Sequence, residues 1–212
     1  MTVSKESVYE HLHPLTTVMK AHFVDYFSGD KLSLGYRWTH TDYLTSNHTG
    51  SGMADEVDGG FKLVGNSSAP SQNALIAFND KRPFSNTGSV VIWVAKMVAS
   101  GTNKQGGWGM CGVMPSYWMD GLKINCPTGT GNFGFYTMDA TEVQTQLDNV
   151  STTTSWHTYK LEQLNGSAKC HVDGVLRATR TDNMSRYKMQ PFLVSKYNDS
   201  DIRARYCEAY NT

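Results

Sequence analysis

The chain has 212 residues, and its 19 Lys plus Arg balance 19 Asp plus Glu to a net charge of zero; this removes the long-range attraction that draws proteins to nucleic acids or anionic membranes. No apolar run approaches the roughly 20 residues that span a bilayer, and the N-terminus lacks the apolar core of a signal peptide, so synthesis in the cytoplasm is expected, with neither nucleic acid nor membrane as partner. Plentiful Gly, Ser, Thr and Asn with 11% aromatic residues fit many short strands joined by turns, at a length that suits one β-sandwich domain.

Residues 1–20 differ from everything that follows. Ser7 with Glu10 fits a capping box, and Val8, Leu12, Leu15 and Met19 fall near one helical face, while Pro14 stops the helix near His13. A short helix with an extended arm is expected here, and residues 21–212 form the sandwich domain. His11 and His13 have no third ligand beside them and do not make a metal site.

The folded body opens with a strand through Phe23 to Phe27, a turn at Ser28-Gly29-Asp30, and Leu32 and Trp38 as core anchors. A Thr/Ser/Gly-rich loop runs to residue 53. Asp55, Glu56 and Asp58 then precede Gly59-Gly60 and a strand from Phe61 to Val64. Three carboxylates beside a glycine turn are a candidate calcium site, because hard cations take several oxygen ligands; the competing reading is a solvated turn. Ala74 to Phe78 reads as a short strand. Val90 to Val98 is the most apolar run and belongs in the middle of a sheet.

Gly106-Gly107-Trp108-Gly109 reads as a connection feeding a strand from Met110 to Met114, and Tyr117-Trp118-Met119-Asp120-Gly121 as a loop before Leu122 to Cys126. Trp108, Tyr117, Trp118 and Asp120 are therefore the candidate glycan-binding residues. Exposed aromatic faces stack on sugar rings, and a nearby carboxylate takes their hydroxyls. The competing reading places the tryptophans in the ends of the core. Runs from Asn132 to Met138 and Glu142 to Leu147 complete the middle of the chain.

Residues 156–180 carry the strongest local signal. Asn165-Gly166 and Asp173-Gly174 sit between β-forming runs and supply the positive φ angles of type I′ turns, predicting three antiparallel strands. His157, Tyr159, Leu161 and Gln163 share one face of the first strand, Ala168, Cys170 and Val172 make a small apolar face of the second, and the third is more mixed, with Leu176 and Ala178 opposed to Val175, Arg177 and Thr179. His157 and His171 read as a surface pair with no nucleophile beside them. Pro191 to Tyr197 and Ile202 to Tyr210 are the last strands. Cys111, Cys126, Cys170 and Cys207 form no C-x-x-C pair and read as buried free thiols.

Phe23-Val24-Asp25-Tyr26-Phe27 with Trp38, the Val172-Asp173-Gly174 hairpin preceded by Trp156-His157-Thr158-Tyr159, and the closing run from Ile202 to Asn211 resemble the concanavalin A-like lectin/glucanase superfamily, which includes laminin-G-like domains. The resemblance covers roughly residues 23–210 and implies an all-β fold, a jelly roll of two antiparallel sheets whose first and last strands meet. Laminarinase-like members place two glutamates around an aspartate at alternate positions of one strand, as retaining hydrolysis requires. The nearest match here is Glu56-Val57-Asp58-Gly59, with Gly60 where the second glutamate belongs. Lys196-Tyr197-Asn198 is a faint counterpart of a lyase strand whose Gln-Ile-His partner is missing.

The sequence therefore predicts a non-catalytic structural or interaction module without a cofactor. By analogy within the superfamily it would be a virion surface component, a head-decoration or tail-associated protein of a phage-like virus, held to protein partners or to itself through residues 1–20 and its sheet surfaces. The alternatives are a lectin using Trp108, Tyr117, Trp118 and Asp120, and a divergent polysaccharide hydrolase or lyase.

Overall fold

The computed structural model describes residues 21–27, 38–42, 54–57, 60–64, 72–77, 82–98, 105–113, 120–126, 132–139, 142–151, 155–196 and 201–212. The expected N-terminal helix and arm, Leu32 and the Ser28-Gly29-Asp30 turn lie outside these residues. Among the described residues the secondary structure is fifteen strands and no helix. In chain order they are β1 (His22–Asp25), β2 (Trp38–Asp42), β3 (Ala54–Val57), β4 (Gly60–Val64), β5 (Gln72–Ala77), β6 (Gly88–Met97), β7 (Gln105–Val113) and β8 (Asp120–Cys126). They continue with β9 (Asn132–Met138), β10 (Glu142–Ser151), β11 (His157–Leu164), β12 (Ser167–Val172), β13 (Val175–Arg180), β14 (Gln190–Lys196) and β15 (Asp201–Asn211).

These strands form two antiparallel sheets. The eight-stranded sheet runs β13-β12-β11-β6-β15-β4-β3, with β1 also on β15; the seven-stranded sheet runs β10-β9-β8-β7-β14-β5-β2. The first and last strands meet as expected, His22 opposite Tyr210 and Asp25 opposite Cys207. The apolar run of β6 lies centrally between β11 and β15.

The two turns that organise the chain take the expected geometry. Asn165 and Gly166 have φ of 49° and 76°, and Asp173 and Gly174 have 50° and 79°, all in the left-handed region that type I′ turns require. The alternation on β11 and β12 is the expected one: Tyr159, Leu161 and Gln163, then Ala168, Cys170 and Val172, are buried. On β13 it changes. A register shift opposes Ala178 to Cys170 but Leu176 to His171, so one extra residue rotates the strand. Ala178 stays buried and Leu176 is half exposed.

The core is the space between the sheets. Phe61, Leu63, Trp93, Tyr159, Leu161 and Ile202 from one layer meet Trp38, Trp108, Leu122, Ile124, Phe133 and Phe135 from the other in one cluster of buried side chains. Each fully buried large apolar side chain contributes about 1.5–3 kcal/mol. Trp93 also ties the layers together, its Nε1 donating to the Gly109 carbonyl at 3.3 Å, while Trp38 Nε1 donates to Asp25 Oδ2 at 2.8 Å. Cys111, Cys170 and Cys207 are buried free thiols.

Two stretches expected as loops are strands. Residues 38–42 form β2, paired with β5, and the glycine-rich run at 106–109 is the middle of β7, paired with both β8 and β14. Glycine is tolerated in β7 because the neighbouring backbone is so close: a Cβ on Gly109 would lie 2.0 Å from the Leu122 carbonyl oxygen.

Candidate functional site

The sequence-predicted residues do not converge. Trp108 is fully buried, its ring edge-on to Tyr159 at 4.8 Å and to Phe133 at 5.4 Å. It is a core side chain and not an exposed stacking face, because the glycine-rich segment around it is a central strand. Tyr117, Trp118 and Asp58 lie outside the described residues. Asp55 and Glu56 sit on β3, in register with Lys62 and Phe61, so that stretch is a paired edge strand where a turn was expected. Among the described residues no group of three His, Cys, Asp or Glu is placed to hold a metal ion. The two histidines of the hairpin also part company. Tyr159 pairs with Val172, so His157 and His171 belong to opposite faces, and His157 Nδ1 lies 2.7 Å from Asp173 Oδ2 instead.

Asp120 is the predicted residue that stands in a reactive setting. It opens β8 on a ladder whose next rung pairs Gly121 with Met138, which brings Asp139, one residue beyond β9, to its side. The segment after β13 closes that end of the sandwich. Thr137 Oγ1 donates to the Asp182 carbonyl at 3.0 Å, Asn86 Nδ2 donates to the Ser185 carbonyl at 3.2 Å, and Phe84 bridges to Met189. Ser185 Oγ donates to Asp120 Oδ1. Arg186 reaches back to Asp139, Nη2 to Oδ2 at 2.6 Å.

The electrostatics of the pair are unequal. Asp120 is 7% exposed, and its Oδ2 has no hydrogen-bond partner among the described residues. Burial pushes its carboxyl above the ordinary aspartate value, the nearby Asp139 adds to this, and hydrogen bonds from Ser185 and the Arg186 backbone offset part of it. Asp139 instead has a guanidinium on its carboxylate. Two carboxyl groups, one buried toward its neutral form and one held by a cation, are the arrangement that divides acid from base. The cluster reaches solvent through Arg186 and through Tyr187, which is half exposed.

Beside it lies the outer face of the seven-stranded sheet. Register sets Phe192, Gly109, Lys123 and Tyr136 in one cross-strand row and Gln190, Cys111, Gly121 and Met138 in the next. Cys111, Tyr136, Met138, Phe192 and Val194 form a second apolar cluster there, and Lys123 Nζ sits 5.1 Å from the centroid of the Tyr136 ring. The alternate positions Gly121, Lys123 and Asn125 of β8 share this face, so the glutamate-aspartate-glutamate set of laminarinase-like proteins is not on this strand. Sequence reading missed Asp139, Ser185 and Arg186 because they meet only through the chain reversal at 181–189; the Asp-Gly pair at 120–121 was the one available signal.

No protein-family model matches the sequence, and none of the curated proteins does. Solved structures do match. A Bacillus licheniformis β-glucanase is 14% identical with a TM-score of 0.64, over 90% of this chain and 98% of that one. An endo-β-1,3-glucanase from Pyrococcus furiosus is 11% identical with a TM-score of 0.64, over 89% and 93%. A structure from work on endo-acting O-glycanases of the human gut microbiota is 13% identical with a TM-score of 0.66, over 90% and 98%. The fold is thus a two-sheet jelly roll of the concanavalin A-like kind, shared with these structures. The expectation of a non-catalytic virion component is corrected by the same finding: these three structures, matched along nearly their whole length, are a β-glucanase, an endo-β-1,3-glucanase and one from work on endo-acting O-glycanases. The virion reading rested on the fold resemblance and the missing export signal, and the non-catalytic reading on a carboxylate motif missing from any one strand.

Proposed function

We propose that this protein is a divergent polysaccharide hydrolase whose acid chemistry is carried by Asp120 with Asp139. The observation that carries this reading is the buried, partly unpartnered carboxyl of Asp120 beside a second carboxylate, on a fold shared with endo-acting glucanases. Asp120, whose burial favours the protonated form, donates a proton to the glycosidic oxygen as the bond to the anomeric carbon breaks. Asp139, ion-paired with Arg186, faces the oxocarbenium-like carbon, either directly or through a water that it deprotonates. Tyr187 offers the exposed ring on which a sugar stacks.

The test is release of reducing ends from laminarin, mixed-linkage β-glucan and mucin O-glycans by the full chain. Asp120→Asn and Asp139→Asn are each expected to lower kcat by about 10²- to 10⁴-fold, with circular dichroism confirming the fold. Binding of these polymers without any cleavage, or cleavage undiminished in both variants, refutes the proposal. Proton NMR of the first product's anomer then separates direct attack by Asp139, which retains configuration, from attack by water, which inverts it.

A further inference from the structure

The outer face of the eight-stranded sheet carries a row of cations that folding does not call for. Lys62 on β4, Arg203 on β15 and Lys96 on β6 stand opposite one another across three neighbouring strands, and like charges facing each other across a ladder destabilise a sheet. Arg205 joins them. A bulge between Ala204 and Tyr206 inserts it as an unpaired, exposed residue. Its guanidinium carbon lies 4.9 Å from the centroid of the Trp156 ring, and the same ring holds Lys96 Nζ at 4.6 Å. An indole attracts each cation, yet gathering two on one ring adds their mutual repulsion.

Asp201 is the carboxylate set among them, 3.1 Å and 3.0 Å from Arg203 Nε and Nη2 and 3.6 Å from Lys62 Nζ. Asp55 stands opposite Lys62 at the sheet edge. Among the described residues the strip sets four cations against Asp201 and the register position of Asp55, which leaves it positive in a chain whose total charge is zero. Lys62 and Arg203 are only partly exposed, their side chains at 30% and 14%, so solvent screens this field less than that of fully exposed charges.

We propose that the strip is a binding site for the sulfate or carboxylate groups of an anionic polysaccharide, with Trp156 holding Lys96 and Arg205 in position. Three adjacent strands span about 10 Å, so one extended polymer presents successive anionic groups to the row. The guanidinium fork of Arg205 matches the oxygens of such groups. The choice of a carbohydrate over a nucleic acid rests on the glycan reading above. The site belongs to the sheet opposite Asp120, so filling it leaves the carboxyl pair open, and the two functions fail separately.

Affinity electrophoresis of the full chain through heparin, polygalacturonate and neutral dextran tests this without any need for hydrolysis. Retardation by heparin or polygalacturonate and not by dextran is expected. Lys96→Gln and Arg205→Gln should each weaken it about tenfold, while Lys169→Gln, outside the strip, leaves it unchanged. Retardation by dextran to the same degree, no retardation by either anionic polymer, or unaltered affinity in the Lys96→Gln/Arg205→Gln double variant overturns the proposal. Equal affinity for duplex DNA overturns it too, since the strip would then answer to any polyanion. Reducing-end release from neutral β-glucan reads out the Asp120 proposal independently.

Discussion

The same substitution, glycine to alanine, carries two different physical costs in this fold. At Gly174, φ is +79° and an added Cβ meets nothing within 4 Å, so the whole penalty is the left-handed backbone, about 1–2 kcal/mol. At a chain length of 212 residues, each kcal/mol lowers Tm by about 2–4 °C, giving a drop of about 2–8 °C. At Gly109 the backbone is ordinary strand, but the Cβ would sit 2.0 Å from the Leu122 oxygen and 2.9 Å from the Lys123 Cα. Neither atom is the end of a flexible side chain. β7 must move off β8, which disturbs the ladder that pairs Trp108 with Ile124 and Met110 with Leu122 and the Trp93 hydrogen bond to Gly109. Gly109→Ala should therefore cost more than about 3 kcal/mol. Urea unfolding followed by tryptophan fluorescence measures both, and Gly166→Ala, with φ of +76° and the same open surroundings, should match Gly174→Ala. Equal losses for Gly109→Ala and Gly174→Ala, or a neutral Gly109→Ala, would refute the separation of strain from contact.

The carboxyl of Asp120 also predicts a stability profile. Its folded value is raised, first by burial, so the folded state holds the proton more tightly than the unfolded chain and stability falls as pH climbs from about 4 through the raised value. Asp120→Asn removes that loss, so its stability relative to the parent should increase with pH across this window in thermal melts at pH 4 and pH 7; a constant difference would show that the carboxyl is not desolvated. Buried thiols should resist alkylation. Burial pushes Cys170 up to about 12 and Cys207 well above the ordinary range, so site-resolved mass spectrometry after iodoacetamide at pH 8 should find Cys111, Cys170 and Cys207 unmodified in the native protein and modified in urea. Labelling of Cys207 in the native state would contradict the pairing of β1 with β15 over it.

Local chemistry made much of the architecture legible. Asn-Gly and Asp-Gly turns act through their own φ angles, and the period-two pattern of Tyr159, Leu161 and Gln163 follows from the geometry of a single strand, so both are readable without the rest of the chain. Trp93 and Trp38 were recognisable as packing residues on the same basis. Gly107 and Gly109 misled because glycine ordinarily breaks strands; here the close approach of the β8 backbone leaves no room for a side chain, and that neighbour is not visible in the sequence. Leu176 misled because a bulge depends on the partner strand.

The candidate site was less legible than the fold. Asp120 stood out for its place beside aromatic residues, but the company it keeps is different: Asp139, Ser185 and Arg186 lie on segments 19 to 66 residues away. Alone, the sequence determined that the chain would fold as facing antiparallel sheets with tight turns, since turn angles and side-chain alternation are local properties. Tertiary structure decided which carboxylates meet, which indole is sealed in the core, and where Lys62, Arg203 and Lys96 line up, because cross-strand register and burial join residues that have no local relation along the chain.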